Sequence, residues 1–167
     1  MKTSRCVLFA LLALTTLPAY AQISENFAPL SDTDILNKLH SIDRTEISLG
    51  NLVLVKSDDK DAKMFATRMV HDHGDADQWV QALAKQKGIA LAEPAIDQQA
   101  LSELKGGPFN RAYMDGMVSG HAEALRFLAH AKAQSSGPDM TALIGKFHKV
   151  VAAHERLAQK LQSKRTF

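Results

Sequence analysis

Residues 58–88 read DDKDAKMFATRMVHDHGDADQWVQALAKQKG, and this stretch decides the class of fold. Apolar side chains fall at Ala62, Phe65, Met69, Ala76, Val80 and Leu83, the three- and four-residue spacing of one face of an α-helix. Asp58 and Asp59 suit the positive end of the helix dipole, and Gly88, after Lys85 and Lys87, suits its termination. One place in the stripe, between Met69 and Ala76, is taken by His73. A helical stripe interrupted once, at mid-length, by a polar residue is the pattern that organises the chain.

Three other segments repeat it. Ser31 is an N-cap with Asp34 three residues on, and the stripe Ile35, Leu39, Ile42, Leu49 and Val53 follows. Pro108, after Gly106 and Gly107, opens a helix striped by Phe109, Tyr113, Met117, Ala124, Leu128 and Ala131. Gly137-Pro138-Asp139 starts the last, with Met140, Leu143, Phe147, Val150, Leu157 and Leu161, and with Lys160, Lys164 and Arg165 at its negative end. The spacing predicts helices over 31–56, 58–87, 108–134 and 139–163 and no sheet. Four similar stripes need one shared core, so the fold class is all-α, a four-helix bundle. The connection from Gly88 to Gly107 is long and is expected to hold a short helix from Asp97 to Lys105. Run out along the bundle, it would make the second and third long helices parallel, the ferritin-like arrangement. An up-down-up-down bundle with a bulky loop fits the same pattern.

Before the bundle, Met1 to Arg5 is short and basic, Cys6 to Leu17 is an apolar run, and Ala19-Tyr20-Ala21 is a small-x-small site. That is the layout of a signal peptide, 1–21, cleaved after Ala21, and the apolar run is too short for a spanning helix. Residues 22–30 read as an extended arm, 31–163 as the bundle and 164–167 as a tail. The expected location is outside the cytoplasm, periplasmic in a Gram-negative cell. The single Cys lies in the signal, so the mature chain offers no thiolate and no disulfide. Without the signal, 18 basic side chains face 18 acidic ones, and there is no basic block. This charge balance argues against a nucleic-acid partner. No stable membrane insertion is expected after cleavage; the physiological partner and a homo-oligomer stay open.

The polar residues that interrupt the stripes are Glu46, His73, His121 and His154, one per long helix. They stand 15, 15, 13 and 15 residues from the predicted starts, hence at a similar level whichever way the helices run. One carboxylate and three imidazoles converging there would form a shell for a single transition metal ion, Fe, Zn, Cu or Mn. The alternative is a buried Glu/His hydrogen-bond network with no metal. Asp77, four residues after His73, could orient that ring or be a surface acid. Tyr113 could donate a hydrogen bond to the site or be a core aromatic. Asp43 and Asp72 lie near the same layer, whereas His40, His71, His130 and His148 fall off or at the edge of the stripes and read as solvated. Of the mid-helix glycines, Gly50, Gly74, Gly116, Gly120 and Gly145, close helix contact is the expected role, with room for a ligand beside His121 as the alternative for Gly116 and Gly120. No nucleophile motif, phosphate-cradling loop or zinc-protease motif is present, so a binding protein is expected rather than an enzyme. A metal-dependent oxidase or hydrolase would need an open coordination position.

Several of these residues also carry a resemblance: Glu46 with Gly50; Phe65-Ala66 with Met69-Val70-His71-Asp72-His73; Gly107-Pro108-Phe109-Asn110 leading to Tyr113, Met117-Val118 and His121; then His154. Over Ser31 to Leu161 the chain resembles the domain-of-unknown-function 4142 family of exported bacterial proteins. The resemblance implies a ferritin-like four-helix bundle in the cell envelope, with no settled activity. Di-iron proteins of that architecture carry Glu three residues before the ligand His, where this chain has Val70, Val118 and Val151. Too few carboxylates remain to bridge two irons, which favours a single ion.

Overall fold

The computed structural model describes residues 30–135 and 137–164; the predicted signal, the arm up to residue 29 and residues 165–167 lie outside them. The described chain forms five helices and no strand: α1 (Asp32–Lys56), α2 (Lys60–Lys87), α3 (Gln99–Glu103), α4 (Gly106–Gln134) and α5 (Pro138–Ser163). Local chemistry sets most of the ends. Ser31 and Asp34 form a reciprocal capping box on α1. The Asp59 carboxylate accepts from the Ala62 N–H at 2.7 Å to cap α2. Gly88, at φ 68°, closes that helix in the left-handed conformation. α4 starts two residues before Pro108, which is tolerated there because first-turn N–H groups have no intrahelical partner. The short helix is tighter than expected, five residues within the predicted 97–105.

Two apolar clusters define the topology. The upper one joins Ile35 and Leu39 of α1, Val80 and Leu83 of α2, Leu128 and Ala131 of α4, and Met140 and Phe147 of α5. The lower one joins Val53, Phe65 and Met69, Phe109 and Tyr113, and Ala158 and Leu161. The C-terminal halves of α2 and α4 therefore share one end, which makes these helices parallel, and the 88–105 connection must cross the length of the bundle. It does so along α1. Ala92 N–H donates to Asn37 at 2.8 Å, Gln98 reaches Ser48 at 3.2 Å, and the Lys56 ammonium donates to the Ser102 carbonyl. This is the crossover of the two topologies that the sequence allows. α1 packs chiefly on α2 and α4 on α5.

Gly50 fulfils the close-contact expectation. A Cβ there would stand 2.7 Å from Val70 Cγ2 and 3.2 Å from the Ala66 carbonyl oxygen, so its absence sets the α1–α2 approach. At Gly74, Gly116, Gly120 and Gly145 a Cβ would meet nothing within 4 Å, so close packing is not their role. The contrast yields a paired expectation. Gly145→Ala should stabilise the protein by up to about 1 kcal/mol through helix propensity alone. Gly50→Ala carries the same propensity gain and should nonetheless lower the midpoint of urea unfolding. Equal stabilisation by both would contradict the tight α1–α2 seam.

Candidate metal centre

Between the two apolar clusters lies a polar layer. His73 from α2, His121 from α4 and His154 from α5 are 1%, 2% and 0% exposed, as their stripe positions require. Their ring centroids are 5.9 Å (His73–His121), 5.2 Å (His73–His154) and 5.4 Å (His121–His154) apart. One ligating nitrogen from each lies within 4.8 Å of the other two. Three nitrogens bound to one ion at roughly 2.0–2.1 Å would stand about 3.5 Å apart in a trigonal arrangement. Small ring rotations cover the difference.

The outward nitrogen of each ring is engaged. His121 Nδ1 lies 2.7 Å from the Met117 carbonyl oxygen, so it must be the donor. His154 Nε2 donates to Asp72 Oδ2 at 2.8 Å. His73 Nδ1 shares a proton with Asp43 Oδ1 at 2.8 Å. The opposite atoms, His73 Nε2, His121 Nε2 and His154 Nδ1, are buried without a hydrogen-bond partner. For His121 and His154 these bonds fix the tautomer and leave the lone pair on the inward nitrogen.

Burial keeps the rings neutral. It pushes each of the three imidazoles down to about 4, against the opposing pull of Asp72 on His73 and His154 and of the Met117 carbonyl on His121. Burial would raise Asp72, but hydrogen bonds from His154, His71 and Arg68 outweigh it and bring the carboxyl down to about 2. Asp43 goes the other way, up to about 9, through burial and then the charge of Asp77, partly offset by His40. At neutral pH the layer holds three uncharged rings and one ionised carboxylate.

The remaining predicted residues are placed differently. Glu46 is buried, with 8% exposure, but lies outside the three-histidine cluster. Its Oε2 has no partner, and burial together with Asp43 raises its carboxyl to about 8. Asp77 does not orient His73; it pairs with His40 at 2.5 Å and accepts from Gln81 at 2.8 Å. His40, read as solvated, is 4% exposed, because Asp77 draws it into the α1–α2 seam. Tyr113 is a core aromatic packed edge-on against Phe65 at 6.1 Å, and its hydroxyl makes no hydrogen bond. Of the groups that orient the rings, Asp43 and Asp72 were legible only as near-layer residues, since their partners lie on other helices, and Met117 only as a stripe residue, since it acts through its backbone carbonyl.

The charges on these groups set a pH profile for the metal-free protein. The three imidazoles hold protons less tightly folded than unfolded, about 4 against 6.5, so their contribution is present above pH 6.5 and is lost as pH falls toward 4. Asp43 and Glu46 hold protons more tightly folded, about 9 and 8 against 3.8 and 4.5, so their contribution is lost as pH rises. Thermal melts should therefore peak at about pH 6–7 and decline on both sides. A steady rise from pH 5 to pH 9 would contradict protonated buried carboxyls.

The fold and the site can be compared with known proteins. The chain is similar to the solved structure "CopM in the Cu(I)-bound form", with a TM-score of 0.72, 16% identity, and coverage of 83% of this chain and 99% of that one. A DUF305 fragment from Deinococcus radiodurans aligns at a TM-score of 0.72 and 13% identity, covering 82% and 99%. A DUF305 protein from Streptomyces coelicolor aligns at 0.70 and 12%, covering 81% and 92%. At these identities the likeness establishes a shared helical-bundle fold; the ferritin-like subtype is not among what it establishes. Among curated proteins none matches the chain significantly. No helix of the described residues is long and apolar enough to cross a membrane. The profile of the domain of unknown function DUF4142 matches residues 17–161, and the chain belongs to that family.

Proposed function

We propose that this protein is exported and holds one copper(I) ion between His73 Nε2, His121 Nε2 and His154 Nδ1, serving metal handling in the cell envelope. The observation that carries the reading is a cluster of three buried rings, one nitrogen of each within 4.8 Å of the other two, in which each ring keeps one buried nitrogen without a partner. A purely structural polar layer would pair its acceptors with donors, because an unsatisfied buried polar atom costs about 1–3 kcal/mol. Here the rings are oriented from behind by Asp43, Asp72 and Met117, as second partners orient metal-binding histidines.

Charge favours a monovalent ion. The cost of moving an ion into a low-dielectric interior grows with the square of its charge, and no carboxylate belongs to the cluster. The ionised Asp72 behind His154 is already paired with Arg68, so the surroundings of the rings carry little net negative charge and a singly charged ion costs least there. Buried Met69 and Met117, one helical turn before His73 and His121, keep the surroundings polarizable. The similarity in fold to CopM, solved in Cu(I)-, Cu(II)- and Ag-bound forms, supports copper as the metal. Zinc, iron and manganese would call for water to complete their coordination, and the rings are closed to solvent.

Titration of the purified mature protein should show one Cu(I) per chain, with Ag(I) competing for the same site. His121→Ala should weaken binding by at least about 100-fold, since the loss of one of three donors costs several kcal/mol. Asp72→Asn, which keeps a hydrogen-bond acceptor but removes the charge, should weaken it by about 10-fold. Cu(I) at 100 times the dissociation constant should raise wild-type stability by about 2.7 kcal/mol. Absence of Cu(I) and Ag(I) binding by wild type, or unchanged affinity in His121→Ala, would contradict the proposal.

A further inference from the structure

The three rings are sealed from solvent, so an ion needs a route inward. A cleft of about 330 Å³ opens between α1 and α4, lined by Ser41, Thr45 and Glu46 on one side and Gly120 and Glu123 on the other. Gly120 precedes His121 in the chain, and a Cβ at Gly120 would meet nothing within 4 Å, so the cleft reaches the backbone beside that ring. Glu46 lines it, and its Oε2 is buried and without a partner. On the inner side, one turn back on α1, Asp43 holds His73. Lys38, the one basic residue of the lining, lies eight positions before Glu46, about 12 Å along the helix at 1.5 Å per residue.

Two other clefts suit a cation less well. One is walled by Leu49, Leu101, Leu104 and Met117, with no charged side chain. The other, beside Trp79 and Asp139, opens against α2 and α5 residues of the upper apolar cluster.

We infer that Glu46 is a transit ligand, which takes a cation from the α1–α4 cleft and passes it to the three-histidine cluster without remaining bound to it. The inference rests on the copper reading above. The unpartnered oxygen fits this role. A buried carboxyl with a permanent partner would have to break that contact for each ion, whereas Glu46, with Oε2 unpartnered, gives up only its proton to water in the cleft as it takes the cation. The absence of a side chain at Gly120 keeps the cleft clear beside His121.

The test separates rate from equilibrium. Cu(I) is delivered from its bicinchoninate complex in a stopped-flow mixer, and the loss of chelate colour gives the loading rate. Transfer in the reverse direction gives the release rate. For Glu46→Gln, near in size and hydrogen-bonding shape, loading and release should both slow at least 10-fold, with the dissociation constant unchanged within twofold. Gly120→Leu, which fills the cleft from the opposite wall, should slow both in the same way. Wild-type rates in both variants would overturn the route. Faster release from Glu46→Gln with weakened affinity would also overturn it, by making Glu46 a resident ligand. Wild-type protein that binds no Cu(I) would instead remove the copper reading itself, a result visible before any variant is made.

Discussion

The structure depends on placing three imidazoles in a dry layer without letting them become charged. An imidazolium there would lose its hydration and face two others at ring distances of 5.2–5.9 Å. Neutral rings avoid that cost but leave three inner nitrogens without a hydrogen-bond partner, those of His121 and His154 carrying lone pairs. The protein resolves half of the difficulty from behind, by fixing the outer nitrogens with Asp43, Asp72 and the Met117 carbonyl. The inner half is left open, and a cation is the species that three converging imidazole nitrogens can satisfy at once.

The topology serves this layer. Because the 88–105 connection crosses the bundle, neighbouring long helices run antiparallel, and residues near the middle of each meet at one height irrespective of small differences in helix length. Apolar clusters above and below seal the layer at both ends. The α1–α2 seam is held by two reciprocal pairs, with Asp43 of α1 on His73 of α2 and Asp77 of α2 on His40 of α1. Gly50 brings the same two helices close one turn after Glu46. The orientation of His73 and the packing of α1 on α2 are thus parts of one arrangement.

Periodicity made much of this legible. His73, His121 and His154 could be singled out because a helical stripe assigns each position to a face. Met69, Ala76, Met117 and Ala124 are buried beside the first two, whereas beside His154 the buried positions are Val151 and Ala158 and the predicted Val150 and Leu157 are half-buried. A stripe says that a side chain points inward, but not into which seam. Glu46 shows the difference: it is buried as expected, yet it faces the α1–α4 cleft rather than the ring cluster. Hydrogen-bond partners were harder still. Asp72 sits beside His73 in the chain but serves His154, 82 positions away, and Asp77 serves His40. Such pairings depend on how helices are juxtaposed, which single-helix spacing does not encode. Gly116 and Gly120 likewise looked like close-packing residues, whereas the structure places them along clefts.

The most direct measurement is nitrogen-15 NMR of the histidine rings in the metal-free protein at about pH 6.5, followed by addition of Ag(I). The account predicts three neutral rings, with His121 protonated on Nδ1 and His154 on Nε2. Their bare nitrogens, and His73 Nε2, should be the atoms that shift when silver binds. Imidazolium signals at that pH, the opposite tautomers, or silver shifts confined to the surface rings His71 and His148 would contradict it.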